Sequence, residues 1–369
     1  MIEKRNLQVE LDRILSQAIE RRIATSCSLF VGFGHEDSPH DIEMHKGSLG
    51  AEVIYDLASI TKIIGTTLGI ARAISEGRIG LKTAPLLGWP QITIGMLLAH
   101  RAGLKAHCHY YDELALSSHN FAHNRRLIFD RLLSMPAVPN SDRVYSDLGF
   151  MALGLVLERL YGQPLFNIFS DTWRKFKIDA QFSWHPSKSG MGDASLNAPT
   201  GHCHARKQRI VNAVHDANCY FLGGLAGHAG LFGSLANLKI MGQWLLRAAI
   251  SPRHEPEAIV KEMARRALGF DKPSLHGSTR DFSHAAFGHF GYTGTSLWID
   301  PKSHGSRGVV IALLTNRVHC GEDPDNILWL RLAVHRAVKN HSQNASSRGG
   351  VRGIQRTANN LDPADFAAG

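Results

Sequence analysis

The chain of 369 residues is 44% hydrophobic and 20% charged, a composition typical of a globular protein long enough for one large domain or two smaller ones. Its formal net charge of +9 comes from basic residues spread along the sequence. No nucleic-acid-binding motif accompanies them, so we expect no nucleic-acid partner.

The start of the chain, its apolar runs and its cysteines bear on the compartment. Residues 1–6 lack the apolar core of a signal peptide, and no segment approaches the ~20 apolar residues of a membrane span. The five cysteines are scattered and include no Cys-x-x-Cys pair, which argues against a disulfide framework or a structural zinc site. We therefore predict a cytoplasmic protein with no membrane partner.

The first elements follow from the apolar pattern. Residues 3–23 carry apolar side chains at helical spacing, and residues 26–33 are rich in β-formers. Residues 59–75 predict a helix that is apolar nearly all round and therefore buried, with a stop at Glu76-Gly77. Ser59 then lies at the N-terminus of a buried helix, where backbone N–H groups and the helix dipole favour developing negative charge.

The rest of the chain divides into a helical middle and a strand-rich end. Residues 92–104 predict an apolar helix with a Gly stop, and residues 148–160 predict another helix. Residues 295–299 and 308–315 predict two adjacent antiparallel strands, which a helix over 325–339 follows.

This order of elements indicates an α+β fold. An antiparallel sheet, flanked by terminal helices, is completed by both chain ends, and a mostly helical domain is inserted between them. We expect one domain over residues 1–341, with its sheet part at about 1–55 and 285–341 and its helical region at about 56–284, followed by a disordered tail over 342–369. The cleft between sheet and helices is the expected site.

Ser59-Ile60-Thr61-Lys62 is the segment most indicative of chemistry. A helical spacing of i to i+3 brings the Ser59 hydroxyl and the Lys62 amine to one face, where the amine can manage the hydroxyl proton. The implied reaction is acyl transfer through a covalent serine ester. The tetrapeptide alone also arises by chance, so its context must decide.

Two later segments supply that context, each with a structural alternative. In Tyr145-Ser146-Asp147, the Tyr145 phenol can shuttle a proton, or Asp147 is a helix N-cap beside a core aromatic. In the segment 289–295, Gly291 lets a substrate lie close to the strand, and a backbone N–H near Tyr292 can join that of Ser59 in an oxyanion hole. The alternative there is a Gly-rich strand start with an exposed histidine.

Taken in order, these segments resemble the serine β-lactamase and penicillin-binding-protein superfamily, closest to its class C β-lactamase, D-alanyl-D-alanine carboxypeptidase and esterase branch. The resemblance covers residues 25 to 340. Ser59 and Lys62 match the Ser-x-x-Lys motif, Tyr145-Ser146-Asp147 matches Tyr-x-Asn, and His289-Phe290-Gly291 matches Lys-Thr-Gly or its His-x-Gly variant. The block over 92–104 is similar to the Ile-Thr-Ile-x-x-Leu-Leu-x-His-x-x-Gly-Leu run of that branch.

The resemblance implies a β-lactamase/transpeptidase-like fold and a serine hydrolase that needs no cofactor. Its catalytic residues are then Ser59, Lys62 and Tyr145, and Asp147, His289, Gly291 and Tyr292 form the substrate-binding and oxyanion side. Segments 214–218 and 223–232 are similar to a subgroup that includes N-acetylmuramyl-L-alanine amidases. That similarity suggests a short peptide or muropeptide amide as the small-molecule substrate.

Two positions depart from the family pattern. Asp147 replaces an amide with an acceptor-only carboxylate, which holds Lys62 protonated if the two are in contact and makes Tyr145 the better candidate for the base. His289 replaces a permanent cation with an imidazole, so anchoring of a substrate carboxylate becomes pH-dependent. Activity on β-lactams, which present such a carboxylate, is correspondingly less expected.

Other functions stay open at this point. A carboxypeptidase, esterase or β-lactamase shares the same motifs, and the altered Asp147 and His289 are compatible with a catalytically inactive module that binds muropeptides for regulation. A metal hydrolase would use histidines, but no His-Glu-x-x-His stretch is present, so we predict no metal. The histidine-bearing pieces that would have to gather are His107-Cys108-His109, His202-Cys203-His204, His215-Asp216 and His228.

Overall fold

The computed structural model describes residues 2–85, 88–112, 120–184, 197–203, 205–303, 307–321 and 323–347. The α-helices over these residues are α1 Ile2–Glu20, α2 Leu68–Ser75, α3 Ile94–Leu98, α4 Phe121–Leu133, α5 Asp147–Tyr161, α6 Leu165–Lys175, α7 Ala217–Phe221, α8 Leu235–Ile250, α9 Glu255–Arg265, α10 Arg317–Cys320 and α11 Pro324–Ser347. The strands are β1 Ser26–Phe33, β2 Ile42–Gly47, β3 Tyr55–Asp56, β4 His202–Cys203, β5 Gln208–Arg209, β6 Phe232–Gly233, β7 Phe287–Phe290, β8 Ser296–Asp300 and β9 Val309–Thr315. No described helix is long and apolar enough to cross a membrane.

A five-stranded antiparallel sheet in the order β2-β1-β9-β8-β7 forms the centre of the fold. The predicted strand over 26–33 is confirmed as β1, and the two strands predicted near the end are confirmed as β8 and β9, which pair antiparallel. Because β1 pairs with β9, the two ends of the chain complete one sheet, as the α+β interpretation requires.

Both faces of the sheet are covered by helices, and β9 shows how. Val309, Ile311 and Leu313 belong to the apolar cluster that contains α1 and α11, whereas Val310 and Leu314 belong to the larger cluster under α8 and the helical region. Successive side chains of a strand point to opposite faces, so a continuous apolar run serves both layers. The terminal helices therefore lie on one face, and the inserted helical region lies on the other.

The buried helix predicted after Ser59 is present, with an irregular start. The chain turns into the helix at Ile60, forms a π-helical segment over Lys62–Thr67 and continues as α2. The π-helical residues are all buried, and such widened turns occur frequently at functional sites. Gly77, with φ of 67°, ends the helix as predicted.

The helix predicted over 92–104 is much shorter in the structure. The hydroxyl of Thr93 caps α3 by accepting from Met96 N, and the helix ends at Leu98. His100 follows with φ of 58°, a left-handed conformation that interrupts the helical path. The ring of His100 instead accepts a hydrogen bond from Ser146 N over 3.0 Å, and this bond stabilises the left-handed conformation.

At the C-terminal end, α11 extends the predicted helix over 325–339 in both directions and reaches Ser347, six residues past the expected domain end at 341. The rest of the predicted disordered tail lies outside the described residues.

Close packing of α8 on the sheet generates a stability prediction. A Cβ on Gly242 would overlap the side chain of Val310 and approach Leu297 to 3.2 Å. We expect Gly242→Leu to lower the free energy of unfolding by about 1–3 kcal/mol because the added side chain overpacks this contact. The exposed Ala236 on the same helix is the matched control as Ala236→Leu. Urea unfolding that gives equal stabilities for the two variants would contradict the prediction.

Candidate active site

The short strand β3 delivers Ser59 to the site. β3 pairs with β6, and the carboxylate of Asp56 accepts a hydrogen bond from Ala58 N over 2.8 Å. Ala58 has φ of 46°, a conformation that an L-residue adopts only when its surroundings hold it there. The resulting turn leaves Ser59 half-buried at the start of the helix that carries Lys62.

The Lys62 ammonium joins the predicted catalytic residues into one cluster. Its Nζ donates over 2.7 Å to each of three oxygens, namely Ser59 Oγ, Tyr145 OH and Asp147 Oδ1. Tyr145 OH in turn donates to Ser59 Oγ over 3.1 Å. His228 O lies farther away, at 3.4 Å, so the three N–H donors of the ammonium face four acceptors, of which these three are the close ones.

The protonation state of this cluster follows from its burial and charges. Burial disfavours the Lys62 ammonium, but the Asp147 carboxylate and the Tyr145 phenol outweigh that effect and raise the pKa of Lys62 above its usual value. Burial is also the largest influence on Tyr145 and raises the pKa of its phenol. Lys62 is therefore charged at neutral pH while Tyr145 is a neutral phenol, so both partners of the Ser59 hydroxyl are protonated at rest.

The start of α5 positions Tyr145 and Asp147. Ser146, rather than Asp147, is the N-cap, since its hydroxyl accepts from Gly149 N over 3.3 Å. His100 accepts from Ser146 N and its ring lies 4.9 Å from the Tyr145 ring. Burial, followed by the charge of Lys62, lowers the pKa of His100 to about 3, so this supporting ring is neutral. Sequence reasoning missed His100, although it is the histidine of the block that resembles the family run.

His289 is buried beside Tyr145. Its side chain is 3% exposed, Nδ1 donates to Phe290 O over 2.7 Å, and its ring is 5.6 Å from that of Tyr145. Burial lowers the pKa of His289 below its usual value, even though Asp271, 3.7 Å from Nε2, acts in the opposite direction. The exposed histidine of the structural alternative is thus not found. His289, which we predicted on the substrate-binding side, is not among the described residues that line the cavity beside Ser59.

The β7–β8 turn is fastened to the segment that precedes Ser59. Thr293 Oγ1 donates to Asp56 O over 2.7 Å, and a Cβ on Gly291 would lie 2.8 Å from Leu57 O. Only glycine permits so close an approach at position 291. Tyr292 follows with its side chain 50% exposed. The contacts bring the main chain of Tyr292 toward that of Ser59, and the oxyanion role of their N–H groups stays a prediction.

A cavity of about 520 Å³ opens in front of Ser59. Asp147 and Tyr292 also line it, and the Tyr292 ring stacks on His215 with centroids 5.7 Å apart. The other histidines of the lining are His107, His109, His202 and His228. The histidine-bearing segments that the sequence analysis considered as a possible cluster are therefore adjacent in the structure. His204 lies outside the described residues.

Two carboxylates in this cavity already have basic partners. Asp147 bonds Lys62 and lies 3.4 Å from His107 Nδ1, while Asp216 lies 3.0 Å from His228 Nε2. Ligand atoms of His107, Asp147 and Asp216 fall within 4.8 Å of one another, a spacing that suits a metal ion. A metal ion would have to displace Lys62 from Asp147 and His228 from Asp216, so these residues fit a metal ion poorly.

Comparison with known proteins identifies the family. The family model described as Beta-lactamase matches residues 29–335. The chain belongs to the beta-lactamase family. The predicted superfamily and its β-lactamase/transpeptidase-like fold are thereby confirmed.

Relatives within this family carry more than one name. The N-acetylmuramyl-L-alanine amidase of Bacillus subtilis (strain 168) is 24% identical over 333 residues, covering 78% of this chain and 73% of the relative. The putative D-alanyl-D-alanine carboxypeptidase of Escherichia coli (strain K12) is 26% identical over 314 residues, covering 72% and 69%. The solved structure of EstCE1, a hydrolase with promiscuous acyltransferase activity, has a TM-score of 0.67 at 19% identity and covers 91% of this chain and 100% of its own; it shows the shared fold.

Against the beta-lactamase family pattern, the two altered positions have different consequences. Asp147 contacts Lys62 directly, as expected, so the substitution changes the charge at the centre of the cluster. His289 is buried beside Tyr145, and its lowered pKa leaves a neutral imidazole where the family pattern has a cation.

Proposed function

We propose that this beta-lactamase-family protein is a serine hydrolase that cleaves an amide or ester bond through a covalent acyl-enzyme on Ser59. The observation that carries the proposal is the position of Ser59 Oγ, which borders the cavity and lies 2.7 Å from Lys62 Nζ and 3.1 Å from Tyr145 OH. A nucleophile within hydrogen-bond reach of its proton acceptor is the arrangement that covalent catalysis needs.

In the proposed reaction, the Tyr145–Lys62 pair first loses a proton to solvent. Ser59 Oγ then attacks the substrate carbonyl carbon and passes its proton to the pair, while the backbone N–H groups of Ser59 and Tyr292 stabilise the oxyanion. The bond to the leaving group breaks as that group takes the proton from the pair. Water finally hydrolyses the ester on Ser59 and releases the acid.

For the substrate we propose an amide in a peptidoglycan-derived muropeptide. The names of the amidase and carboxypeptidase relatives support this class. The cavity of about 520 Å³ is of the size that small-molecule sites commonly have, and its imidazole and phenol groups suit a ligand rich in amides, hydroxyls and carboxylates.

A panel of substrates tests this choice. We expect product analysis by mass spectrometry to show faster cleavage of muropeptide amides than of a D-alanyl-D-alanine peptide, a p-nitrophenyl ester or a chromogenic cephalosporin. Preferential cleavage of one of the other three would overturn the substrate class and favour a carboxypeptidase, an esterase or a β-lactamase.

The nucleophile has its own test. We expect a fluorophosphonate probe to label Ser59 in the folded protein, as peptide mass mapping will show, because the hydroxyl is activated and reachable from the cavity. Ser59→Ala should abolish labelling and turnover, whereas the control Ser141→Ala should retain both. Muropeptide binding without labelling would instead indicate the inactive regulatory module, and turnover that is lost with a chelator and restored by a divalent ion would indicate a metal hydrolase.

The charge of the cluster predicts the pH dependence. Because the pKa values of Lys62 and Tyr145 are both raised, the reactive, deprotonated form of the pair becomes more abundant as pH rises, so kcat/KM should increase from neutral into alkaline pH. Asp147→Asn removes the carboxylate that holds Lys62 charged and leaves burial to lower its pKa. We expect this variant to move the acidic limb of the profile down by about 1–3 pH units.

The exposed Asp142, on the segment that leads into α5, supplies the matched control. Asp142→Asn should leave the profile of kcat/KM unchanged. An acidic limb that stays in place, or moves upward, in Asp147→Asn would contradict this account of the cluster.

A further inference from the structure

His228 and Asp216 form a second polar pair at the cavity. His228 is 1% exposed, and its Nε2 lies 3.0 Å from Asp216 Oδ1. The same oxygen accepts from Cys219 N over 2.7 Å, because Asp216 is the N-cap of α7. Asp216 is therefore an acceptor, so Nε2–H of His228 is the donor.

This hydrogen bond sets the tautomer of the imidazole. With its hydrogen on Nε2, a neutral His228 keeps a lone pair on Nδ1. Nδ1 is buried and has no hydrogen-bond partner in the part of the chain that the structure describes. The ring is thus oriented by a carboxylate at one nitrogen and left able to accept a proton at the other.

The main chain fixes His228 beside the nucleophile. His228 and Ser59 line the same cavity, and His228 O lies 3.4 Å from the Lys62 Nζ that bonds Ser59. The preceding Gly227 packs so closely on α5 that a Cβ on Gly154 would lie 2.9 Å from Gly227 N. Thr66 Oγ1 also donates to Gly227 O over 2.7 Å, so the residue before His228 is held by close packing and by a hydrogen bond.

We propose that the His228–Asp216 dyad is the general base that activates water for hydrolysis of the acyl-enzyme. The proposal rests on the proposed function. After acylation Ser59 Oγ is part of the ester, and the raised pKa values of Lys62 and Tyr145 return both groups to their protonated forms at neutral pH. His228 lines the same cavity, and its Nδ1, unpartnered among the described residues, is then the acceptor for the proton of the attacking water.

Before water attacks, the Tyr145–Lys62 pair regains one proton from solvent, which replaces the proton that the leaving group took. His228 Nδ1 takes one proton from water, and the hydroxide oxygen bonds to the acyl carbon. The bond from that carbon to Ser59 Oγ then breaks, and Oγ takes a proton from Lys62 across their hydrogen bond. The acid leaves, His228 releases its proton to solvent, and Lys62 recovers one. Ester and water give acid and free serine.

Rapid-mixing kinetics with a p-nitrophenyl ester separate the two half-reactions. We expect His228→Gln to keep the burst of p-nitrophenol, which reports acylation, and to slow the steady state ~10²–10⁴-fold. Intact-protein mass spectrometry should then show acyl groups accumulating on Ser59. Asp216→Asn should have the same effect in weaker form, and added imidazole should partly restore turnover in His228→Ala. The exposed His123, as His123→Gln, is the control and should behave as wild type.

Other outcomes would contradict either the dyad as the base or the proposed function. Wild-type deacylation in His228→Gln, or a loss of burst and steady state together in a variant that keeps the wild-type circular dichroism, overturns the dyad as base. If His228→Gln does not fold, Asp216→Asn and the imidazole rescue decide. A wild-type enzyme that the fluorophosphonate probe does not label at Ser59 and that turns over none of the substrates overturns the proposed function itself, and that result is distinct from a failure confined to the variants.

Discussion

The ion pair between Lys62 and Asp147 is the interaction on which the site depends. The Lys62 side chain is fully buried, and its Nζ lies 2.7 Å from Asp147 Oδ1. Taking an ammonium out of water costs several kcal/mol unless a close partner and further hydrogen bonds compensate it. Ser59 and Tyr145 accept the further hydrogen bonds from Lys62. The groups that would carry out the chemistry therefore also stabilise the buried ammonium. Structure and reactivity are therefore coupled at this ammonium.

The sheet enforces this geometry from the other side. The β7–β8 turn is bonded to the segment before Ser59 through Thr293, and Thr295 Oγ1 donates to Leu57 O over 3.1 Å. Arg331 reaches up from α11 and donates to Gly291 O and Thr295 O. A helix near the end of the chain thus holds the turn that lies beside the nucleophile, so both ends of the chain contribute to the geometry of the site.

Sequence alone predicted the parts of this site that depend on local spacing. Ser59 and Lys62 meet because they lie one helical turn apart. The contact of Tyr145 with Ser59 was implied by the resemblance to the family pattern, since local spacing left a structural role for Tyr145 open. The strands β1 and β9 could be predicted from their apolar runs because strands buried on both faces carry few polar residues.

The missed features are set by contacts between distant segments. His289 is buried because its ring packs beside that of Tyr145, a contact that no local pattern around His289 reveals. The shortening of α3 depends on a hydrogen bond between His100 and Ser146, 46 positions apart. The histidines of the cavity come from separate loops. The sequence could suggest that they cluster, but the contacts of His107 with Asp147 and of His228 with Asp216 could be identified only from the folded structure.

The two carboxylates of the cavity have opposite effects on their basic partners. Asp147 stabilises the charge of Lys62, and because an amine is a useful base only when uncharged, this contact suppresses reactivity at rest. Asp216 bonds one nitrogen of His228 and leaves the second with its lone pair, so the same residue type orients a base. The difference comes from the partner, since an amine has one site for a proton and an imidazole has two. With Asp147 in place of the motif amide, Lys62 stays charged and is a poor base. The proposed His228–Asp216 dyad supplies the base that the Lys62–Asp147 pair does not.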